Sequence, residues 1–204
     1  MKEIAIEPRA YQQKIFETAR DKNTLVVLPT GTGKTLVALM VAVNLFKKHP
    51  TKKIVMLAPT RPLIEQHLKS FEESLPDGWA DMQLFTGKTQ APQRKKIWQT
   101  AEIVFSTPQC IANDLEKNLY DLTDVSLLIV DEAHRCLKNY AYNNVAQKFK
   151  QDQDEGSRIL ALTASPGSDK KTIEQICKNL DIEAVEIRTR DSPDVQPYLS
   201  LIHI

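Results

Sequence analysis

The segment Leu28-Pro29-Thr30-Gly31-Thr32-Gly33-Lys34-Thr35 has the composition of a phosphate-binding loop. Gly31 and Gly33 let the backbone turn its N–H groups toward an anion, and the start of a following helix adds a positive dipole end. Lys34 would reach the β- and γ-phosphates of a nucleotide, and the Thr35 hydroxyl would ligate Mg²⁺. The strict pattern of such loops begins with glycine, whereas this segment begins with Leu28. This difference restricts the class of phosphate-binding loop but still leaves a phosphate-binding loop as the prediction.

An acidic tetrad, Asp131-Glu132-Ala133-His134, directly follows the apolar run 125–130. At the end of a strand, Asp131 would lie at the same sheet edge as the loop and anchor Mg²⁺, mostly through water. Glu132 would orient or deprotonate an attacking water molecule. Acidic residues are also favoured at an ordinary solvated helix N-terminus, but the pairing with the loop favours a shared site for phosphoryl transfer.

The elements that must position these residues are marked by apolar runs that alternate with helical periodicity along the chain. The apolar runs predict strands at 24–28, 54–57, 82–85, 103–106, 125–130, 158–162 and 184–187. The periodic segments predict helices at 8–20, 34–48, 62–74, 92–100, 108–117, 142–150 and 170–180.

The strands are continuous runs of Val, Ile and Leu, which indicates burial on both faces. Regular alternation of strands and helices indicates a parallel sheet with right-handed crossovers. The predicted fold class is therefore α/β, a three-layer αβα domain with a mainly parallel sheet. Ligands of such domains bind beyond the carboxyl ends of the strands, where the loop and the tetrad are expected.

Length and composition fit one large globular domain, with 204 residues, 42% hydrophobic and 26% charged. The longest apolar run, 36–43, is far shorter than the ~20 residues of a membrane helix, so no membrane partner is expected. A net charge of +1 neither indicates nor excludes nucleic-acid binding, because one face can be locally basic. The cysteines, Cys110, Cys136 and Cys177, are odd in number and widely spaced, which favours a reducing intracellular compartment over a disulfide framework.

The loop and the tetrad resemble motifs I and II of the superfamily 2 helicases and translocases. Further segments follow in the family's order: Arg9-x-Tyr11-Gln12 resembles its adenine-reading motif, Ala58-Pro59-Thr60-Arg61-Pro62-Leu63 its motif Ia, Thr86-Gly87 a strand-contact motif, Thr107-Pro108-Gln109 its motif Ib, and Thr163-Ala164-Ser165 its motif III. The resemblance spans residues 9–166 and implies a RecA-like P-loop NTPase domain that converts ATP hydrolysis into movement along nucleic acid.

This resemblance implies a role for each matching residue. ATP would be bound by Arg9, Gln12, Pro29, Thr30, Gly31, Thr32, Gly33, Lys34 and Thr35, with Lys34, Asp131 and Glu132 catalytic and with Thr35 and Asp131 holding Mg²⁺. His134, Thr163 and Ser165 would couple the nucleotide state to the nucleic-acid surface, and Arg61, Thr86, Gly87, Thr107 and Gln109 would line the nucleic-acid track. Such loops suit contacts with phosphates that do not depend on base sequence.

Two longer segments narrow the resemblance, Leu162-Thr163-Ala164-Ser165-Pro166-Gly167 and Asp191-Ser192-Pro193-Asp194-Val195. They are similar to the branch that contains the archaeal Hef helicase and the Fanconi anaemia group M translocase, with the RIG-I-like RNA sensors next. That branch implies action on branched DNA in repair or at replication forks. An RNA helicase or RNA-stimulated ATPase stays open, because few contacts read the 2′-hydroxyl. A non-catalytic nucleic-acid-binding module also stays open, although the intact phosphate and acidic residues argue against it.

The domain prediction divides the chain into an ATP-binding domain, 1–187, and a linker, 188–204. The resemblance implies that ATP lies between two RecA-like domains, so the expected partners are a second RecA-like domain of the full-length chain and a nucleic acid, with DNA favoured. The second domain would supply arginines, and an arginine finger is worth about 10³–10⁵ in turnover. Such a motor would work in the cytoplasm of a prokaryote or the nucleus of a eukaryote.

The sequence also predicts the positions of several side chains outside these motifs. Phe71 and Trp98 lie at helical spacing among apolar neighbours, which predicts core packing. His67 has no partner pattern and is predicted to lie on the surface. The basic run Arg94-Lys95-Lys96 leaves two interpretations open, a solvated face or a nucleic-acid contact beside Thr86-Gly87.

Overall fold

The strands and helices lie close to the predicted ones in a computed structural model of the chain, which describes residues 4, 6–138, 140–165 and 170–199. The strands are β1 Thr24–Val27, β2 Lys53–Leu57, β3 Met82–Phe85, β4 Ile103–Ser106, β5 Val125–Val130, β6 Arg158–Thr163 and β7 Ala184–Ile187. The helices are α1 Ala10–Ala19, α2 Lys34–Lys48, α3 Arg61–Ser74, α4 Ala91–Trp98, α5 Pro108–Glu116, α6 Tyr140–Asp152, α7 Lys170–Asn179 and α8 Gln196–Leu199. A 3₁₀ turn, Ala133–Leu137, precedes α6 and was not predicted, and neither was α8.

The strands form one seven-stranded sheet in the order β3-β4-β2-β5-β6-β1-β7. Every neighbouring pair is parallel. The prediction of a mainly parallel α/β sheet is therefore confirmed. The strand order places β6 between β5 and β1, although β6 follows both of them in the chain.

Alternate residues of each strand enter two separate hydrophobic cores, one on each face of the sheet. In β1, Leu25 and Val27 pack with α4, α5, α6 and α7, whereas Val26 packs on the opposite face with α1, α2 and α3. All three side chains are at most 5% exposed. The predicted burial on both faces is confirmed, and it makes the sheet a rigid support for the loops at its edge. Within the part of the chain that the structure describes, no helix has the length and apolarity to cross a membrane.

The segment after β7 returns to α1, on which it packs. Val195 is fully buried, and the Tyr198 hydroxyl accepts a hydrogen bond from the Ala10 N–H (3.3 Å). The Arg9 guanidinium lies 5.1 Å from the centroid of the Tyr198 ring. Residues 200–204 of the predicted linker lie outside the described residues, and the domain boundary at 187 stays a prediction.

Candidate functional site

Three neighbouring strands, β5, β6 and β1, bring the predicted ATP-site residues to one edge of the sheet. The phosphate loop follows β1, Asp131 follows β5, and Thr163 is the last residue of β6. The Leu28 N–H donates to the Thr163 carbonyl (3.1 Å), which continues the pairing of β1 with β6 beyond the strand end. The end of β6 therefore lies between the phosphate loop and the acidic tetrad.

Two left-handed glycines shape the phosphate loop. Gly31 has φ +81° and Gly33 has φ +87°, a region that side chains disfavour. Between them, Thr32 is buried and its hydroxyl donates to the Pro29 carbonyl (2.6 Å), which closes the loop on itself. Helix α2 starts at Lys34, so the positive end of its dipole points to the loop.

Helix α1 contacts the phosphate loop through two residues of the predicted adenine motif. The Tyr11 hydroxyl (2.6 Å) and the Gln12 amide nitrogen (3.2 Å) both donate to the Thr32 carbonyl. The Gln12 amide oxygen accepts from the Arg9 N–H (2.8 Å), so Gln12 caps its own helix while it contacts the loop. Gln12 is 2% exposed, which makes this amide a rigid link between α1 and the loop.

We expect Gly33→Ala to destabilise the protein more than Gly31→Ala does. Both changes place a Cβ at positive φ, which costs about 1 kcal/mol. At Gly33 the Cβ would also lie 2.2 Å from the Gln12 amide nitrogen, whereas nothing lies within 4 Å of a Cβ at Gly31. Displacing Gln12 should cost a further ~1 kcal/mol through its lost hydrogen bond. Urea unfolding of the two variants measures the difference, and equal losses would contradict the contact.

The Lys34 amine lies within electrostatic reach of both acids of the tetrad. Burial lowers the pKa of Lys34 from its ordinary value, and attraction to the carboxylates of Asp131 and Glu132 opposes that shift. The amine donates to the Leu28 carbonyl (3.0 Å), its one hydrogen bond among the described residues. An ammonium group carries three donors, so two remain for an anion. A partly dehydrated cation beside a loop of turned N–H groups is suited to bind phosphate.

The residues around this amine also fit Mg²⁺. The Asp131 carboxylate follows β5 and is 5% exposed, and Thr35 is the second residue of α2. A carboxylate and a hydroxyl are hard oxygen ligands, which Mg²⁺ prefers. The Asp131 backbone is held on both sides, since its N–H donates to the Leu57 carbonyl (2.8 Å) and its own carbonyl accepts from the Tyr142 hydroxyl (2.9 Å).

The residues predicted to couple the sites form one hydrogen-bonded chain. His134 Nδ1 lies 2.9 Å from the Thr163 hydroxyl and 3.4 Å from a Glu132 carboxylate oxygen. The Thr163 hydroxyl accepts from the Ser165 N–H (3.3 Å) and lies 3.1 Å from the Ser165 carbonyl. The structure thus joins Glu132 to the segment after β6 through two side chains. The motif extends to Pro166 and Gly167, which lie outside the described residues.

The predicted nucleic-acid residues occupy the other half of the same sheet edge. Thr86 and Gly87 follow β3, Thr107 follows β4 and caps α5, and Arg61 opens α3 after β2. These three strands are neighbours in the sheet, so their loops lie next to one another, beside the half of the edge that holds the predicted ATP-site residues.

The side chains on this surface differ in how available they are. Gln109 is exposed and donates to Asn113 (2.9 Å), and Arg61 pairs with Glu65 (2.5 Å) while 42% exposed. Thr86 is buried and its hydroxyl accepts from the Lys88 N–H (3.3 Å). Gln109 and Arg61 are therefore exposed enough to contact a phosphate backbone, whereas the Thr86 side chain is not.

Arg94 is a buried structural residue, so neither interpretation of the basic run, a solvated face or a nucleic-acid contact, applies to it. Lys95 and Lys96 are exposed, and both interpretations stay open for them. Its guanidinium forms two hydrogen bonds with the fully buried Asp114 carboxylate (2.7 and 2.5 Å). It also donates to the carbonyls of Thr86 and Thr89 and so ties the loop after β3 to α5. The basic side chain of Arg94 predicted a surface position. Its partner Asp114 lies 20 residues further along the chain, so no local sequence pattern indicates the pair.

The prediction that His67 lies on the surface is also wrong. His67 is 9% exposed, and its Nε2 lies 2.7 Å from Asp131 Oδ2. A local signal existed, because Ile64, His67 and Phe71 follow at intervals of three and four residues on the buried face of α3. The predictions that Phe71 and Trp98 lie in the core are confirmed by exposures of 0% and 7%.

Comparison with known proteins places this chain in a family. A family model described as DEAD/DEAH box helicase matches residues 9–173. The Fanconi anemia group M protein homolog of Mus musculus is 43% identical over 190 residues, which are 93% of this chain and 9% of that protein. The ATP-dependent DNA helicase MPH1 of Candida albicans is 42% identical over 189 residues, which are 93% of this chain and 16% of that protein.

A solved structure agrees with these relatives. The crystal structure of the Pyrococcus furiosus Hef helicase domain matches with a TM-score of 0.86 and 42% sequence identity, covering 94% of this chain and 40% of that chain. The sheet and its flanking helices thus match a helicase domain of known structure. This chain spans less than half the length of each of these proteins.

Proposed function

The chain belongs to the DEAD/DEAH box helicase family, and we propose on that premise that it is the ATP-binding motor domain of a longer DNA helicase or translocase. One observation carries the proposal: the Lys34 amine lies beside the phosphate loop within reach of both Asp131 and Glu132. A relative named as an ATP-dependent DNA helicase supports DNA as the nucleic acid that is bound. We propose branched DNA as the substrate because the resemblance to the branch that contains the Fanconi anemia group M protein implies it.

The proposed reaction is hydrolysis of ATP. Water attacks the γ-phosphorus, the bond to the bridging oxygen breaks, and ADP and phosphate leave. Lys34 and the backbone N–H groups of residues 30–33 hold the phosphates, and Glu132 accepts a proton from the attacking water. Thr35 and Asp131 would hold Mg²⁺, which supplies positive charge to the phosphate oxygens.

Two further groups of residues serve the nucleotide in this proposal. Arg9 and Gln12 would bind the adenine edge, a role implied by the resemblance of Arg9-x-Tyr11-Gln12 to the adenine-reading motif of the family. His134, Thr163 and Ser165 transmit the nucleotide state, a role supported by their hydrogen bonds with one another. A change at Glu132 would reach Ser165 through only two intervening side chains.

The nucleic-acid half of the edge would carry the phosphate backbone. We assign the track to the loops that hold Arg61, Thr86, Gly87, Thr107 and Gln109. These loops follow neighbouring strands, so a strand of DNA could contact them in succession. A second RecA-like domain of the full-length chain would close the cleft, and the enzyme would work in the cytoplasm of a prokaryote or the nucleus of a eukaryote.

ATP turnover of the full-length protein with different nucleic acids tests the proposal. We expect little turnover alone, and at least about tenfold stimulation by branched DNA relative to matched duplex RNA, because motors of this kind hydrolyse ATP on their track. A Lys34→Ala variant controls for contaminating ATPases. Stronger stimulation by RNA would favour the RNA helicase alternative, and absence of turnover with any nucleic acid would favour a non-catalytic binding module.

A further inference from the structure

The imidazole of His67 is a buried group that the proposed reaction does not use. Its Nε2 lies 2.7 Å from Asp131 Oδ2, and both side chains are buried. Because a carboxylate oxygen accepts, Nε2 carries the donating proton. A buried hydrogen bond to a carboxylate is among the stronger hydrogen bonds in a protein.

Helix α3 holds this imidazole firmly in place. Ile64 and Phe71 flank His67 on the buried face of the helix, and both are fully buried. The Phe71 ring meets the Phe105 ring of β4 edge to face, with centroids 5.2 Å apart. His67 is thus attached to the sheet by packing on either side of it, so its ring has little freedom to follow a moving carboxylate.

The Asp131 backbone is fixed independently of His67. Leu57 accepts from its N–H and Tyr142 donates to its carbonyl, so the peptide groups on both sides are held. What remains free is the side-chain torsion that turns the carboxylate. The hydrogen bond from His67 occupies Oδ2 and so sets that torsion, which leaves Oδ1 with a defined direction.

We propose that His67 is a positioning residue for the magnesium site, which rests on the proposed function of Asp131. It holds the Asp131 carboxylate in one orientation. The oxygen that is not bonded to His67 then already faces the metal or its water shell before the metal binds. Partners that hydrogen-bond a metal-binding carboxylate typically contribute 10- to 100-fold in metal affinity or activity. His67 would contribute through Asp131 and would touch neither metal nor nucleotide.

Binding of Mn²⁺ to the complex of the full-length protein with ADP, followed by electron paramagnetic resonance, tests the assignment. We expect His67→Leu to weaken Mn²⁺ binding about 10- to 100-fold while the affinity for ADP without metal changes less than about twofold. His67→Gln should recover affinity to within about threefold of the wild type, since its amide nitrogen can donate. Gln66→Leu, at an exposed position of the same helix, is the matched control and should bind Mn²⁺ like the wild type.

The outcomes separate this inference from the proposed function. Equal Mn²⁺ affinity in wild type and His67→Leu would overturn the positioning role alone. So would a His67→Leu variant that loses metal-free ADP binding and thermal stability in parallel with Mn²⁺ binding, because that pattern is structural damage. A wild-type protein that binds no Mn²⁺ in the presence of ADP would overturn the proposed ATP site, and the inference with it.

Discussion

Replacing Glu132 by Gln is expected to lower nucleic-acid-stimulated ATP turnover of the full-length protein by about 10²–10⁴-fold, the usual contribution of a general base. The amide keeps the shape of the side chain but cannot accept the proton of the attacking water. Binding of Mg²⁺ and ATP should change little, because Lys34, Thr35 and Asp131 are untouched. Turnover and nucleotide affinity, measured on the same preparation, separate the two effects.

The backbone conformation at Glu132 affects the wild type and the Glu132→Gln variant equally. Glu132 has φ +51°, a left-handed conformation that costs a residue with a side chain about 1–2 kcal/mol. Gln pays the same strain, so any difference reports the carboxylate. Glu72→Gln, at an exposed position of α3, is the matched control and should keep full turnover. A Glu132→Gln variant with more than about a tenth of wild-type turnover would contradict the assignment of the base.

Replacing Asp114 by Ala is expected to lower the free energy of unfolding by about 3–5 kcal/mol. Asp114 is fully buried and accepts two hydrogen bonds from Arg94, and its Oδ2 also accepts from the Tyr120 hydroxyl (2.8 Å). The hydrogen bonds between Arg94 and Asp114 raise the pKa of Arg94. A guanidinium stays protonated even without such a partner, so the charge of Arg94 persists in the variant. The loss is large because the variant keeps a buried guanidinium without its counter-charge. Chemical denaturation monitored by fluorescence measures it, with Asp77→Asn at an exposed position as the control.

A double variant shows whether the charge or the packing causes this loss. Arg94→Met combined with Asp114→Leu removes both charges and should recover most of the stability, since buried pairs replaced by apolar groups are often neutral. The double variant should still bind DNA more weakly than the wild type, because Arg94 no longer holds the Thr86 carbonyl in place. A double variant as unstable as Asp114→Ala would assign the loss to packing instead.

The local part of the site could be predicted because each motif carries its own geometry. A glycine-rich turn between an apolar run and a helix predicts the phosphate loop, and φ values of +81° and +87° at Gly31 and Gly33 confirm the turn. The acidic tetrad could be placed on the same edge because parallel strands end on one side. The membership in the helicase family, predicted from the order of the motifs, is also confirmed.

Side chains whose partners are distant in the chain could not be assigned in this way. His67 and Asp131 are 64 residues apart, and Arg94 and Asp114 are 20 apart. Neighbouring residues in the sequence do not identify the partner of such a buried polar residue. The spacing of His67 with Ile64 and Phe71 predicts a buried face, but it does not say that a carboxylate lies opposite.

Periodicity and turn chemistry therefore determined most of the elements and the two motifs of the proposed ATP site, because these depend on residues within one or two turns of each other. The regular alternation of strands and helices along the chain determined the parallel sheet. Only the tertiary structure decided the strand order, which inserts β6 between the phosphate loop strand and the acidic strand and brings Thr163 to His134. It also decided that His67 and Arg94 are buried and hydrogen-bonded to carboxylates rather than exposed at the surface. The physical reason is that a buried polar group takes whichever partner the packed elements bring to it, and that choice is made across the fold rather than along the chain.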